Sequence, residues 1–254
     1  MRAMSCVCLG VFVVATDLLT GAARADTPDP PIAESRLTVS SLVREDIFAG
    51  WRSNDLKRFA RGEKNLDLLL EQRPKNKAEI LAWKGGARLY RAVLALEAGN
   101  TEEFERLYQE TLDLHEQARV AGPNDGVVHA VVGGSFVVFG DRLPQKYHEQ
   151  VWSDCYNGYQ KLWTSQSPFL AQLPVHVRGE LLAGLILSTQ RMGRQEELDK
   201  FLDKAIEVLP DTRYARTAQK WKDDPQVAAT ENISCVGCHG PGRLSRRIKK
   251  LAAN

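Results

Sequence analysis

The stretch VVHAVVGGSFVVF, residues 127–139, decides the fold class. Its valines and phenylalanines favour a strand by residue type. Yet the segments on both sides carry helical periodicity, and a lone strand between helices has nothing to pair with. The stretch therefore reads as a buried helix, with Gly133 and Gly134 allowing a neighbouring helix to approach closely. Working outward, Leu66, Leu69 and Leu70 recur at i, i+3, i+4 before Pro74 ends their helix. Ala78 to Ala98 is rich in Ala, Leu and Arg and stops at Gly99-Asn100. Thr101-Glu102-Glu103 then opens a helix running to about Val120. Gln145 to Thr164, Val177 to Met192 and Gln195 to Leu209 continue the pattern. The expectation is an all-α chain of helix hairpins.

Composition narrows the function classes without choosing one. The chain has 254 residues, 43% hydrophobic and 26% charged, enough for a substantial core. Its 34 basic and 32 acidic residues nearly cancel, against a polybasic nucleic-acid binder. Five cysteines are too few for a disulfide-stapled scaffold.

Residues 1–25 read as a secretory signal peptide: Arg2, an apolar run from Cys6 to Thr16, and Ala23-Arg24-Ala25 before Asp26. That run is short of the roughly 20 residues of a membrane span, and no later stretch reaches that length. The expected location is periplasmic or secreted. Removal of the signal would take Cys6 and Cys8, leaving Cys155, Cys235 and Cys238. Residues 26–36 form a proline-rich leader, 37–222 the helical body, and 223–254 a separate C-terminal segment.

The helical body resembles the tetratricopeptide repeat. Gly193, Ala205 and Pro210 stand where that repeat has its turn residue, its helix-crossing residue and its terminating proline. Gly133, Phe136 and Gly140, and Trp83, Ala87 and Tyr90, fit positions of its first helix. The resemblance covers about residues 55–220, with an irregular period, and a generic helical bundle is the competing reading. It implies a solenoid whose concave face docks a redox partner protein or peptide.

Cys235-Val236-Gly237-Cys238-His239 is the one motif that carries chemistry. It reads C-x-x-C-H and resembles the attachment signature of c-type cytochromes. That resemblance implies one covalent haem c, thioether bonds from Cys235 and Cys238, and His239 as the proximal iron ligand. Three other readings compete with it. A thioredoxin-like site needs a βαβ setting that the helical pattern lacks. A structural zinc site needs a second ligand pair. A disulfide between Cys235 and Cys238, with no haem, stays open.

Only 15 residues follow His239 and none is methionine, which departs from the small cytochrome c pattern. A motif so close to the end is more similar to the four-helix cytochromes c′, where the haem motif lies near the end of the last helix; the helical body here is much longer than such a bundle, so only the attachment logic carries over. A distal ligand would come from upstream: His176 is ranked first and Met192 second, with a five-coordinate iron equally open. His115 and His148 read as surface residues and His129 as a core residue. Cys155 reads as a buried free thiol. The tail, Arg243 to Leu251, is an amphipathic basic helix with Leu244, Ile248 and Leu251 on one face; its cations would pair with haem propionates or an acidic partner, or simply face solvent. The expected activity is electron transfer, or an interaction scaffold in which haem is structural or sensory. No catalytic constellation emerges, so an electron carrier is favoured over an enzyme.

Overall fold

The computed structural model describes residues 34–234 and 242–253. These residues form helices joined by turns, with no strand among them. Eight longer helices make up the body: α1 (Val39–Ser53), α2 (Leu56–Gln72), α3 (Lys77–Glu97), α4 (Thr101–Ala121), α5 (Gly126–Phe139), α6 (His148–Gln166), α7 (Val175–Arg191) and α8 (Gln195–Val208). Then come α9 (Arg213–Asp223), the single turn α10 (Pro225–Ala228) and α11 (Arg243–Ala252). The chain is all-α over its described length.

Local chemistry sets most of the boundaries. Thr38, Asp55, Asn100, Asp125 and Thr212 each accept a hydrogen bond from a first-turn N–H at the start of α1, α2, α4, α5 and α9. Two turns need glycine's freedom: Gly99 at φ +78° and Gly193 at φ +67°. The glycine and terminal residues between helices were readable in advance; α9 was not anticipated, although Tyr214, Ala218 and Trp221 recur at i, i+4, i+7 on its buried side.

The segment 127–139 is helical, as expected. Val128, Val132 and Phe136 face the core, while α3 and α6 pack on either side. Burial against neighbouring helices outweighs the strand preference of its valines. Of its two glycines, Gly133 makes the close approach: a Cβ there would lie 2.8 Å from Tyr159 Cε2. Gly184 of α7 would clash with the same ring at 2.2 Å, so Tyr159 is held between α5 and α7 by two missing side chains.

Helices pack mainly on their neighbours in sequence: α1 on α2, α3 on α4, α5 on α6, α7 on α8, α8 on α9. Contacts of α3 with α5 and of α6 with α7 join these pairs. Trp83, Ala87, Tyr90, Phe136 and Ala205 are all buried in the common core. Among the described residues no helix is long and apolar enough to cross a membrane.

Two histidines differ from expectation. His115 is fully buried, not on the surface. A Cβ on Gly85 of α3 would meet its ring at 2.3 Å, so the glycine makes the space that takes the imidazole inside. His148 is partly buried, its Nε2 at 2.8 Å from the Leu143 carbonyl.

Candidate functional site

A cavity of about 560 Å³ opens between α1, α3, α5, α6 and α7, a size that suits a cofactor or small ligand. One wall is aromatic. Phe48 and Trp51 of α1 stand 4.8 Å apart by ring centroid, and Trp51 stacks on Trp83 of α3 at 6.2 Å and 29°. Trp83 is fixed in place because its Nε1–H donates to Ser40 Oγ at 3.0 Å, while Ser40 donates to Glu79 at 2.6 Å. The Trp51 indole nitrogen is buried and has no hydrogen-bond partner among the described residues. The opposite lining comes from α5 and α7. Val127 and Val177 lie there with about two-fifths of their surface exposed, apolar area left uncovered by the fold.

A polar chain crosses the α7 side of this cavity. Tyr214 Oη donates to Glu180 Oε1 at 2.6 Å, and Ser234 Oγ donates to Glu180 Oε2 at 2.6 Å. His176 Nδ1 lies 3.5 Å from the Tyr214 hydroxyl. His176, Glu180 and Ser234 all line the cavity. Tyr214 reaches Glu180 because Gly179 leaves room for its ring, a Cβ there falling 2.3 Å from Tyr214 Cε2.

The segment leading into Ser234 is tightly held. Arg191 donates to the carbonyls of Ala228 at 2.9 Å and Glu231 at 3.3 Å while bridging Asp141. Asn232 donates to the Val137 carbonyl at 2.8 Å and accepts from Ser234 N–H at 2.9 Å. Ile233 is fully buried. The chain beyond the motif is held as firmly: the N–H groups of Gly242 and Leu244 donate to the two oxygens of Glu45 on α1, at 2.8 and 2.9 Å. Burial works against the Glu45 charge, but these two N–H groups and Arg58 hold its carboxyl below the usual range. Thus Ser234 is tied to α7 and Gly242 to α1, two helices that both line the cavity.

Cys235, Cys238 and His239 lie outside the described residues. Of the upstream candidates, His176 stands on the cavity. Met192 caps the far end of α7, partly buried against the core. Sixteen residues separate the two, about 24 Å along a helix axis. His129 is buried, with Nε2 at 2.9 Å from the Pro123 carbonyl. His115 has both ring nitrogens buried without a partner. Cys155 is a free buried thiol against the Gly133 carbonyl, and burial pushes its pKa up.

Sequence reasoning did not single out Arg44, Trp51, Glu180, Tyr214 or Ser234. Ser234 could have been suspected from its place beside the motif; the others carry no one-dimensional signal. No known protein family matches the chain, and neither does any curated protein or solved structure.

Proposed function

We propose that this chain is an exported monohaem c-type cytochrome on a tetratricopeptide-like helical scaffold, acting in electron transfer. The observation that supports this reading most is the anchoring of both flanks of residues 235–241 on the cavity-lining helices α1 and α7. The lining has the character a porphyrin needs: the stacked indoles of Trp51 and Trp83 with Phe48 tilted against them, and partly exposed valines. Cys235 and Cys238 would hold the group covalently and His239 would be its proximal ligand. When bound, the haem supplies a one-electron ferrous–ferric couple.

The chain's own residues would then set the conditions. Glu180 holds Ser234, the residue that precedes the motif, against α7. Tyr214 Oη donates to Glu180 and lies 3.5 Å from His176 Nδ1, where it would accept from the tautomer protonated at Nδ1. That tautomer leaves the lone pair on Nε2, the arrangement a metal-binding imidazole requires. His176 is therefore preferred over Met192, which sits at the other end of α7. The aromatic wall would keep water from the porphyrin and tune the couple through low polarity. The helix hairpins would offer the surface on which a redox partner docks.

The test is expression of the full chain with c-type maturation machinery, followed by the absorption spectrum of the denatured, reduced protein in pyridine. Covalent haem, lost in Cys235→Ala/Cys238→Ala, is the expected result. Haem-free protein with a Cys235–Cys238 disulfide would overturn the proposal.

A further inference from the structure

At the α1 edge of the cavity one cation has no close ion pair among the described residues. Arg44 is half-buried and lines the cavity. Among the described residues its guanidinium makes no hydrogen bond or close ion pair, and the neighbouring Glu45, whose charge favours it, is turned to other donors. The last helix brings more positive charge to the same place. α11 packs on α1, and Arg247 donates to Ser41 Oγ, a neutral acceptor. Burial, together with the nearby Arg243 and Arg247, holds the Arg44 guanidinium down to about 10.

The carboxylates in reach are already engaged. Glu45 accepts from Gly242, Leu244 and Arg58. Asp46 is bridged by Arg58 and Arg61. Glu79 accepts from the N–H and hydroxyl of Ser40, and Asp125 caps α5. Glu180 accepts from Tyr214 and Ser234. A half-buried cation beside like charges is unfavourable unless an anion completes the set.

We propose that Arg44, with Arg243 and Arg247 beside it, forms an anion site at the rim of the aromatic cavity that receives the carboxylate side chains of a porphyrin. The proposal rests on the haem reading above and assigns residues that the attachment motif does not identify. The shape argues for this ligand class. An aromatic, apolar cavity with cations at one edge fits a flat molecule that is apolar over most of its area and carries carboxylates at one side. A guanidinium fork matches a carboxylate in two parallel hydrogen bonds. The site joins the first described helix to the last, so ligand binding would also fasten α11 to α1.

A metal-free experiment separates this site from iron ligation. The full-length chain, produced without haem attachment and checked for native helix content by circular dichroism, is titrated with metal-free mesoporphyrin. Its dimethyl ester, which lacks the two charges, is titrated in parallel. Quenching of tryptophan fluorescence reports binding, since Trp51 and Trp83 line the cavity. The diacid is expected to bind about tenfold more tightly than the diester at low salt, with the difference shrinking as salt rises. Arg44→Met should bring the two within about twofold, and Arg44→Lys should keep part of the preference. If Arg44→Met loses helix content, Arg247→Gln, at an exposed position, tests the same site and should weaken the preference. Equal affinity of the wild-type chain for diacid and diester would overturn the anion site and leave the haem reading standing. So would a preference unchanged in folded Arg44→Met. Binding of neither porphyrin to the folded chain would overturn both.

Discussion

His115 gives the most quantitative prediction. Its ring is fully buried between α3 and α5, edge-on to Phe136 at 5.4 Å, and neither nitrogen has a partner. Burial, with a smaller contribution from Arg119, lowers its pKa to about 3. In the unfolded chain the imidazole titrates at about 6.5. Below that value the unfolded chain takes up a proton that the folded chain refuses. Stability is therefore full above about pH 6.5 and falls by about 1.4 kcal/mol per pH unit towards pH 3. Between about pH 7 and pH 4.5 the loss from this one residue is about 2.5 kcal/mol. Carboxylates held low in the fold, such as Glu45 and Glu105, add their loss mainly below about pH 4.5, so the upper window belongs to histidine. The perturbation is His115→Leu, which keeps similar bulk against Gly85 and removes both nitrogens. Urea unfolding at half-unit pH steps should show the slope in the wild type and its absence in the variant. At neutral pH the variant should be more stable by about 1 kcal/mol, because two unsatisfied buried nitrogens are gone. An undiminished slope in His115→Leu would refute the reasoning.

Other consequences are open to direct measurement. Gly184→Ala places a methyl group on the Tyr159 ring between α5 and α7, so urea unfolding should show a loss of about 1–3 kcal/mol. Asp46→Ala removes a buried carboxylate from Arg58 and Arg61, and should cost about 3 kcal/mol by the same assay. On the haem proposal, His176→Ala should speed carbon monoxide binding to the reduced protein, whereas Met192→Leu should leave the visible spectrum unchanged. On the same proposal, Glu180→Ala releases Ser234 and should lower the yield of covalent haem while far-ultraviolet circular dichroism keeps its helical signal.

The helices were legible in the sequence because their causes are local. Glycines at Gly99 and Gly193 and apolar residues repeating every three or four positions act within one or two turns, although the cap of α4 is Asn100, one residue before the Thr101 from which that helix was read. The 127–139 segment was legible only through its neighbours, since its own composition favours a strand. His115 was misplaced because the polar residues around it in α4 mark a solvated face; the cause of its burial, Gly85, lies thirty positions away on α3. The chemistry at residues 235–239 was likewise a matter of spacing, visible without coordinates and outside the described residues. What tertiary structure alone decided is the cavity between α1, α3, α5, α6 and α7. Arg44 and Trp51 of α1, Glu180 of α7 and Tyr214 of α9 come from three helices far apart in the chain. Cavity shape and charge balance depend on distances between elements, and no period of 3.6 residues encodes those. The sequence by itself determined a helical chain carrying one C-x-x-C-H spacing; the packing of α1, α5 and α7 determined where the described residues leave a cavity.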